Sequence, residues 1–425
     1  MCSNKISRTK PSWSDTYTLP WQQIFSKLAV HDLVGCKGVC SSWNSCIKSL
    51  KISPHLMIPK LQHDDDDSTC RRFFTLAYEN GTEGFFIDHA MGIESENLYL
   101  GSSQGWLVIL NNRAKDSFIL NPFNCLVLQL PSIETLPTWR NRDNLLTNNR
   151  FVSKAILIPN TKKRNKKWAV IIYGYASQNI AYGETGGKLW IRLACREYFA
   201  YCDILGLNGC LYALTSSNTV QVWNFQSSSG SSNLGAFPTK VMTFVPSSPV
   251  CLGLDDKKYI NDSCFCQKYL VESKGEILLV TRILGNFVHD DDDNGAVADD
   301  VGNAAAAADD DTDLLILPYA TMEFCAHKME LRKSKWKKVE NLGGQALFVG
   351  GSESTSICST TFSGYEANSI YFTDDNWGEM DNNDSLFGGH DNGVYNIETK
   401  EFKPCFDIDV GDKVYPPPFW ILPSL

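Results

Sequence analysis

The sequence predicts an α+β multidomain protein in which a small helical module precedes a much larger, mostly β domain. Apolar residues between positions 13 and 50 recur at intervals of mostly three, four or five, which is the spacing typical of helices. From about residue 71 the chain consists of short apolar runs bounded by Gly, Asn, Asp and Ser, which indicates strands joined by turns. Aromatic residues make up 12% of the 425 residues, a content that suits packing on pleated sheet faces.

The segment 13–50 is predicted to form three short helices. Pro20 stands where a first helix can begin, because the N–H that proline lacks would have no partner there. Asp32 can begin a second helix, and Ser41 or Ser42 a third. A unit below about 40 residues rarely folds alone. The segment is therefore interpreted either as a cap packed on the large domain or as a module that the helices of another protein complete.

The β region contains a loose repeat. The unit is a turn glycine or asparagine, an apolar run, a polar break and a second run with an aromatic residue, as in 208–225 and, with a long insert, 368–406. Recurrence at roughly 40–60 residues predicts a β-propeller of about six blades, with about five to eight allowed by the length. A pair of β-sandwiches is the structural alternative.

Composition along the chain predicts five parts. These are a disordered tail at 1–12, the helical module at 13–50, a linker at 51–70, the β domain at 71–425 and, within it, a disordered acidic insertion at 286–313. The insertion has ten aspartates, seven alanines and neither Lys nor Arg, so it cannot bury enough apolar surface to fold. We interpret it as a solvated loop between strands rather than as a lure for a basic partner.

The totals exclude several classes of protein. The net charge of −9 argues against broad nucleic-acid binding. The N-terminus lacks an apolar core and no run is long enough for a membrane helix, so we expect an intracellular protein of the nucleus, the cytoplasm or both. The 15 cysteines include no Cys-x-x-Cys pair, so we expect no metal site, and we expect no cofactor.

Three motifs suggest chemistry that their surroundings do not support. Gly101-Ser-Ser-Gln-Gly105 fits the pattern of a hydrolase elbow around Ser103, but a strand follows where that chemistry needs a helix, so we predict a hairpin turn. The aspartates from Asp290 begin like a calcium loop, yet Val301 stands where the loop needs a glutamate. Lys162–Lys167 is a nuclear import signal, a binder of an acidic patch or a solvated hairpin loop. No catalytic residue is predicted.

The segment 13–50 resembles the F-box. The residues that carry the resemblance are Trp13, Leu19-Pro20, Ile24, Leu28, Asp32-Leu33, Val39-Cys40 and Trp43. Two positions depart from the pattern: Gly38 stands where a bulkier residue is usual, and Asn44 where Arg is common. Gly38 is expected to weaken the second helix by roughly 1 kcal/mol.

The remainder resembles a plant family that joins an F-box to a domain long catalogued as of unknown function and predicted to be a β-propeller. The stretches that carry this resemblance are 101–108, 120–123 with 130–131, 269–273, 346–350, 370–375, 388–395 and 416–420. Together they span most of the chain and are more specific than any one of them.

The resemblance implies a substrate-recognition subunit of a Skp–cullin–F-box ubiquitin ligase, a non-catalytic adaptor. The F-box would bind the Skp adaptor, and through it cullin, while the β domain would recruit a substrate protein that the family does not identify. The residues expected to form the adaptor-facing surface, with the small core behind it, are Leu19, Pro20, Ile24, Leu28, Leu33, Val39 and Trp43. The sequence does not separate these two roles.

Two other functions stay open at this point, and the substrate-binding residues are unknown. The tryptophans Trp139, Trp377 and Trp420 are candidate substrate anchors, although their type and position favour core or blade packing over that role. An enzyme built on the propeller would use the cluster Asp374, Asp375, His390 and Asp391, which lies among turn residues. A scaffold without ligase activity is the third possibility.

Overall fold

In the residues that it describes, the computed structural model has three α-helices followed by 25 strands. The residues that the structure describes are 18–50, 52–58, 71–75, 83–87, 97–111, 115–137, 151–160, 166–174, 177–193, 199–226, 237–250, 264–286, 319–362, 364–376, 388–405 and 418–424. The predicted acidic insertion at 286–313 lies, apart from Asn286, outside these residues, as does the predicted tail at 1–12.

The three predicted helices are confirmed. They are α1 (Thr18–Phe25), α2 (Val30–Lys37) and α3 (Ser41–Lys48). Helix α2 begins two residues before Asp32, with Ala29 at its N-cap, so Asp32 lies inside the first turn, where its charge favours the helix dipole. Helix α3 begins at Ser41, and its N-cap is Cys40, whose Sγ accepts a hydrogen bond from the backbone N–H of Trp43 at 3.5 Å.

The strands that the structure describes form six sheets, which we number as blades from the N-terminus. Blade 1 combines β1 (His55–Ile58), β2 (Arg71–Thr75) and β3 (Glu83–Ile87) with the last strand of the chain, β25 (Phe419–Ile421). Blade 2 consists of β4 (Asn97–Ser103), β5 (Trp106–Asn111), β6 (Asp116–Asn121) and β7 (Leu126–Gln129). Blade 3 consists of β8 (Val152–Pro159), β9 (Lys167–Tyr173), β10 (Asn179–Glu184) and β11 (Ile191–Arg192).

The second half of the ring has the same plan with one five-stranded blade. Blade 4 consists of β12 (Tyr201–Leu207), β13 (Cys210–Thr215), β14 (Val220–Asn224) and β15 (Thr239–Phe244). Blade 5 consists of β16 (Cys264–Ser273), β17 (Glu276–Asn286), β18 (Tyr319–Glu330) and β19 (Lys335–Val339). Blade 6 has the order β21-β20-β22-β23-β24 and uses β20 (Gln345–Val349), β21 (Thr355–Cys358), β22 (Ser369–Phe372), β23 (Gly393–Asn396) and β24 (Phe402–Lys403).

The predicted β-propeller is confirmed, because an apolar cluster fills the space between each blade and the next around a closed ring. Strand alternation makes this possible, since successive side chains point to opposite faces. In β25, for example, Phe419 and Ile421 pack toward blade 2 and Trp420 packs toward blade 6. The last strand therefore joins the two ends of the ring.

Tight turns connect the first two strands of several blades. Asn208 and Gly209 both have positive φ, 52° and 71°, which is the pattern of a type I′ hairpin turn. Gln104-Gly105 and Lys274-Gly275 repeat this pattern. The hairpin predicted around Ser103 is thus confirmed, and the elbow geometry of a hydrolase is absent from these residues.

Candidate functional site

The helical module has a core of a few side chains. Phe25, Leu33, Cys46 and Ile47 are buried in it. An aromatic group covers one side: the ring of Trp43 lies 4.6 Å from that of Trp21 and 5.1 Å from that of Phe25. Such contacts are worth about 0.5–1.5 kcal/mol each beyond area burial. A core this small does not keep the three helices folded by itself, so the module depends on contacts with neighbouring elements.

The structure separates the predicted adaptor-facing residues into two groups. Leu33 is 3% exposed and belongs to the core, and Leu28 and Trp43 are half-buried around it. Ile24 and Val39 are 50% and 63% exposed. Leu19 and Pro20 lie in α1, but their side chains are outside the described residues. Binding of the adaptor by these seven residues stays a prediction.

One face of α2 packs on the propeller. Val30 is buried in the cluster between blades 1 and 2, which includes Met57, Tyr99 and Phe419. Val34, one helical turn further along the same face, packs against the same cluster. The module is thus seated on the junction that closes the ring, while Ile24 and Val39 remain exposed.

Gly38 lies at the C-cap of α2 rather than inside the helix. Its φ of −75° and ψ of −13° are ordinary right-handed values. Its N–H donates to the carbonyl of Gly35 at 3.2 Å, and the N–H of Val39 donates to the carbonyl of Cys36 at 3.2 Å. Because α2 ends at Lys37, Gly38 lies just past the helix interior, where a glycine costs roughly 1 kcal/mol, and the size of its effect on the module stays a prediction. Nothing in this backbone geometry requires a glycine.

A buried polar network crosses the interior of the propeller. Lys154 on β8 forms an ion pair with Asp203 on β12, with 2.7 Å between Nζ and Oδ1, and both side chains are buried. Glu353, between β20 and β21, accepts hydrogen bonds from the Ser103 hydroxyl at 2.5 Å and the Gly206 N–H at 3.2 Å. Ser103 Oγ also accepts a hydrogen bond from the N–H of Leu157. These bonds connect Ser103 of blade 2, Leu157 of blade 3, Gly206 of blade 4 and Glu353 of blade 6.

Burial sets the protonation of Glu353. Desolvation raises the pKa of this carboxyl to about 7, and the hydrogen bonds from Ser103 and Gly206 only partly oppose the rise. A carboxyl with this pKa is partly protonated near neutral pH.

A second network surrounds Arg282 on β17, which is fully buried. The guanidinium donates to the Asp391 carboxylate at 2.7 Å, to the Asp375 carboxylate at 3.2 Å and to the carbonyl of Thr373 at 2.9 Å. Burial lowers the pKa of Arg282, but the nearby negative charges, above all that of Asp391, raise it by more. The net pKa therefore lies above the ordinary value, and the side chain stays cationic. Arg282 thereby joins blade 5 to blade 6.

The candidate cluster for an enzyme belongs to this same network. The structure brings Asp374, Asp375, His390 and Asp391 together, as an enzyme would require. Asp374 accepts hydrogen bonds from the Tyr319 hydroxyl at 2.7 Å and the Gly389 N–H at 2.9 Å. His390 Nε2 lies 3.0 Å from the carbonyl oxygen of Tyr319. Their partners are groups of the protein itself, and the described residues contain no cluster of His, Cys, Asp and Glu arranged to hold a metal ion.

Reasoning from the sequence missed Lys154 and Arg282. Each is a single cation in a largely apolar strand. Lys154 is followed by Ala155-Ile-Leu-Ile, and Arg282 is preceded by Leu278-Leu-Val-Thr. A charge on a strand that is otherwise apolar predicts a buried, paired residue, because such a charge is costly without a partner. That signal was available in the sequence.

A cavity opens at the hairpin end of blades 2, 3 and 4. Its volume is about 460 Å³, and its lining includes the amide side chains of Gln104, Asn208 and Gln226. Of the predicted substrate anchors, Trp420 is wrong as an exposed anchor, because it is buried between blades 6 and 1. Trp139 and Trp377 lie outside the described residues.

The basic and acidic runs are only partly described. Of the run 162–167 the structure describes Lys166, which pairs with Glu184 at 3.6 Å, and Lys167, which begins β9. The candidate calcium loop from Asp290 lies outside the described residues. Among the described residues no helix is long and apolar enough to cross a membrane.

Comparison with known families identifies both parts of the chain. A family model described as the KIB1-4 beta-propeller matches residues 84–396. The chain belongs to the KIB1-4 β-propeller family. The F-box domain model matches residues 19–55, which include α2, α3 and all of α1 except Thr18. Strands β1 and β2 and the closing strand β25 lie outside the propeller match, so the chain on both sides of that match completes blade 1.

The relatives are plant F-box proteins with distant sequences. A protein of Arabidopsis thaliana named as F-box protein At4g22660 is 21% identical over 94% of this chain and 93% of its own length. The F-box/kelch-repeat protein At1g57790 of the same plant is 22% identical over 100% of this chain and 98% of its own. Among solved structures, the N-terminal domain of Nup159 has a TM-score of 0.30 at 8% identity and covers 83% of this chain and 74% of that one. A TM-score this low supports no conclusion about the fold.

Proposed function

We propose that this protein is the substrate-recognition subunit of a Skp–cullin–F-box ubiquitin ligase. In this role the F-box binds a Skp-type adaptor and the propeller holds the protein to be ubiquitinated. The observation that carries the proposal is an F-box with exposed Ile24 and Val39 whose α2 is seated on the propeller. The plant F-box relatives support the same role.

The adaptor surface that we propose centres on Ile24 and Val39. Large apolar side chains gain about 1.5–3 kcal/mol each when a partner buries them. Two such contacts are a large share of the roughly 8 kcal/mol of a micromolar complex. Leu19 and Pro20 from α1 join this surface in our proposal, whereas Leu33 acts from the core by supporting the helices.

The seating of α2 gives the proposed ligase a defined geometry. Val30 and Val34 hold the module against blades 1 and 2. An adaptor bound to the module and a target bound to the propeller would therefore stay at a fixed distance from each other. Ubiquitin would come from a separate enzyme, and this chain would contribute proximity rather than a covalent step. The pairing of Arg282 with Asp391 and the hydrogen bond from the Tyr319 hydroxyl to Asp374 support this non-catalytic role, because the partners of these groups are other groups of the protein.

Binding of the full chain to purified Skp adaptor tests the proposal. The double variant Ile24→Asp, Val39→Asp is expected to weaken binding at least about tenfold, because two apolar contacts would be replaced by buried charges. The matched control is Leu189→Asp, Val241→Asp, which places the same charges on comparably exposed apolar positions of blades 3 and 4. This control is expected to bind like the wild type.

Two results would contradict the proposal. If neither the wild type nor the control binds the adaptor, a scaffold without ligase activity becomes the better function. If the wild type binds and the double variant binds equally well, the adaptor uses another face of the module, and Leu19→Ala, Pro20→Ala is the next variant to measure.

A further inference from the structure

The outer side of blade 5 carries a concentration of positive charge, which we call the basic edge. It comprises Arg332 and Lys333 in the helical turn before β19, and Lys335, Lys337 and Lys338 in β19 itself. Strand β19 is the last strand of its sheet and pairs with β18 alone among the described strands. The basic edge is therefore a backbone edge as well as a charged surface.

The positive charge of the basic edge is largely uncompensated. Lys333 pairs with Glu330 at 3.3 Å. Arg332, Lys335, Lys337 and Lys338 form no ion pair with another described residue. In a chain of net charge −9, four such cations within seven positions form a local field of the opposite sign.

Exposed apolar groups border the basic edge. Leu331 is 54% exposed in the same turn, and Val245 at the end of β15 is exposed as well. The N–H of Ser247 donates to the carbonyl of Ser334 at 2.7 Å, which brings the chain after β15 to this turn. The surface thus combines cations with apolar contacts from blades 4 and 5.

Protection against self-association does not account for this surface. Lysines on an edge strand discourage pairing with a second copy, and Lys335 and Lys337 can serve that purpose. Arg332 and Lys333, however, lie in the turn outside the ladder, and the exposed Leu331 would increase self-association rather than reduce it. A complementary partner explains the whole set.

We propose that the basic edge binds an extended, acidic segment of the target protein, which adds as a strand beside β19. Backbone hydrogen bonds to the edge of β19 that no other described strand occupies would supply affinity. Carboxylates would pair with the cations that have no ion pair among the described residues, and apolar side chains would cover Leu331 and Val245. The inference rests on the proposed function in naming the bound protein as the target. A nucleic acid fits less well, because the apolar residues and the net charge of −9 oppose it.

A peptide titration of the full chain tests the proposal. The probe is a fluorescent peptide of about ten residues in which aspartate alternates with valine, a length close to that of ordinary strands. Anisotropy measures its binding at low and at raised salt. The variant Arg332→Glu, Lys337→Glu is expected to bind the probe at least about tenfold more weakly, because two attractive contacts become repulsive.

The matched control is Lys188→Glu, Arg192→Glu. These residues are exposed at the outer side of blade 3, so the control changes the net charge equally. Its affinity for the probe is expected to lie within about threefold of that of the wild type. Equal weakening by both variants would mean that the net charge of the protein, and not the basic edge, attracts the probe, which would overturn the proposal. A second probe of the same charge with proline at alternate positions is expected to bind about tenfold more weakly, because it cannot form the ladder.

Other occupants of the basic edge give different results. Tighter binding of a single-stranded oligonucleotide of equal charge would overturn the proposal in favour of nucleic acid. If the wild type fails to bind the peptide and a variant with Asp290–Asp293 changed to asparagine binds it, the occupant is the chain itself, and the proposal is equally overturned.

The adaptor assay separates this inference from the proposed function. Peptide binding is measured without the adaptor, and adaptor binding without the peptide. Loss of peptide binding alone by the basic-edge variant, with adaptor binding intact, is the expected result. A wild type that binds the adaptor and neither peptide would refute the inference and leave the proposed function standing.

Discussion

The helical module and the propeller keep their shapes in different ways. The module has a core of Phe25, Leu33, Cys46 and Ile47, and its Val30 packs against the propeller. Each propeller blade, in contrast, packs against a neighbouring blade on both of its faces. The propeller also contains buried ion pairs, whereas no buried ion pair is seen in the described part of the module. A small unit with one core needs a neighbour, and a closed ring supplies its own neighbours.

The largest expected effect comes from breaking the ring's ionic network. Arg282→Met leaves the Asp375 and Asp391 carboxylates buried without their cation, which is expected to cost about 3–5 kcal/mol of unfolding free energy. Urea unfolding followed by tryptophan fluorescence measures it. Lys400→Met is the control, because its pair with Glu323 at 3.4 Å is exposed and worth at most about 1 kcal/mol. Equal losses in both variants would mean that burial does not distinguish these pairs.

The second effect is a pH dependence that belongs to the propeller. Glu353 has a pKa of about 7 in the folded protein, and its pKa in the unfolded chain is the ordinary value of 4.5. Between these values the folded state holds the proton and the unfolded state has lost it, so stability falls as pH rises through this window. The fall is expected to be roughly 3 kcal/mol in total and to end above about pH 7.

The variant Glu353→Gln isolates this contribution. Glutamine cannot ionise, so its unfolding free energy should match the wild type near pH 5 and exceed it near pH 8. Denaturant titrations at both pH values measure the difference. Parallel pH profiles for wild type and variant would show that Glu353 ionises normally in the folded protein.

The third effect concerns the contact between the two regions. Val30→Ala removes two buried methyl groups from the seat of α2, which is expected to cost about 1–2 kcal/mol. Hydrogen exchange should speed up in α1–α3 while β8 and β12 keep their protection. Val39→Ala is the control, since Val39 is exposed. Faster exchange throughout the ring would mean that the module stabilises the propeller rather than the reverse.

The smallest effect tests the glycine after α2. Gly38 has an ordinary right-handed φ, and an added Cβ would meet the Gly35 carbonyl at an unstrained 3.5 Å. Gly38→Ala should therefore stabilise the module by about 0.4–1 kcal/mol by restricting the unfolded chain. At Gly209, with a φ of 71°, the same change should destabilise blade 4. Calorimetry of both variants compares them, and destabilisation by Gly38→Ala would refute this account.

Local patterns predicted much of the fold. Helical spacing around Ile24, Leu28 and Leu33 predicted the three helices, and turn pairs such as Asn208-Gly209 predicted hairpins. Both signals act over a few residues, so the sequence expresses them directly. The start of the second helix was predicted less well. Asp32 was expected to begin it, whereas α2 begins at Val30 after Ala29, which has no capping side chain. The packing of Val30 on the propeller accounts for this start better than a cap does.

The candidate site was less predictable. The sequence selected Leu33 and Ile24 by the same spacing, although one lies in the core and the other in solvent. Trp420 was a candidate anchor for the substrate because it is aromatic, yet ring closure buries it. Exposure depends on which element packs against each face, and such contacts join residues far apart in the chain.

The sequence by itself determined the division into a helical module and a β domain, the short strands with their turns, and the resemblance to F-box proteins. Only the tertiary structure decided that β25 closes blade 1, that α2 is seated on that closure, and that Lys154 and Arg282 are buried with their carboxylates. The physical reason is range: periodicity and turn chemistry are local, whereas Arg282 meets Asp391, 109 residues away, only after the ring has formed.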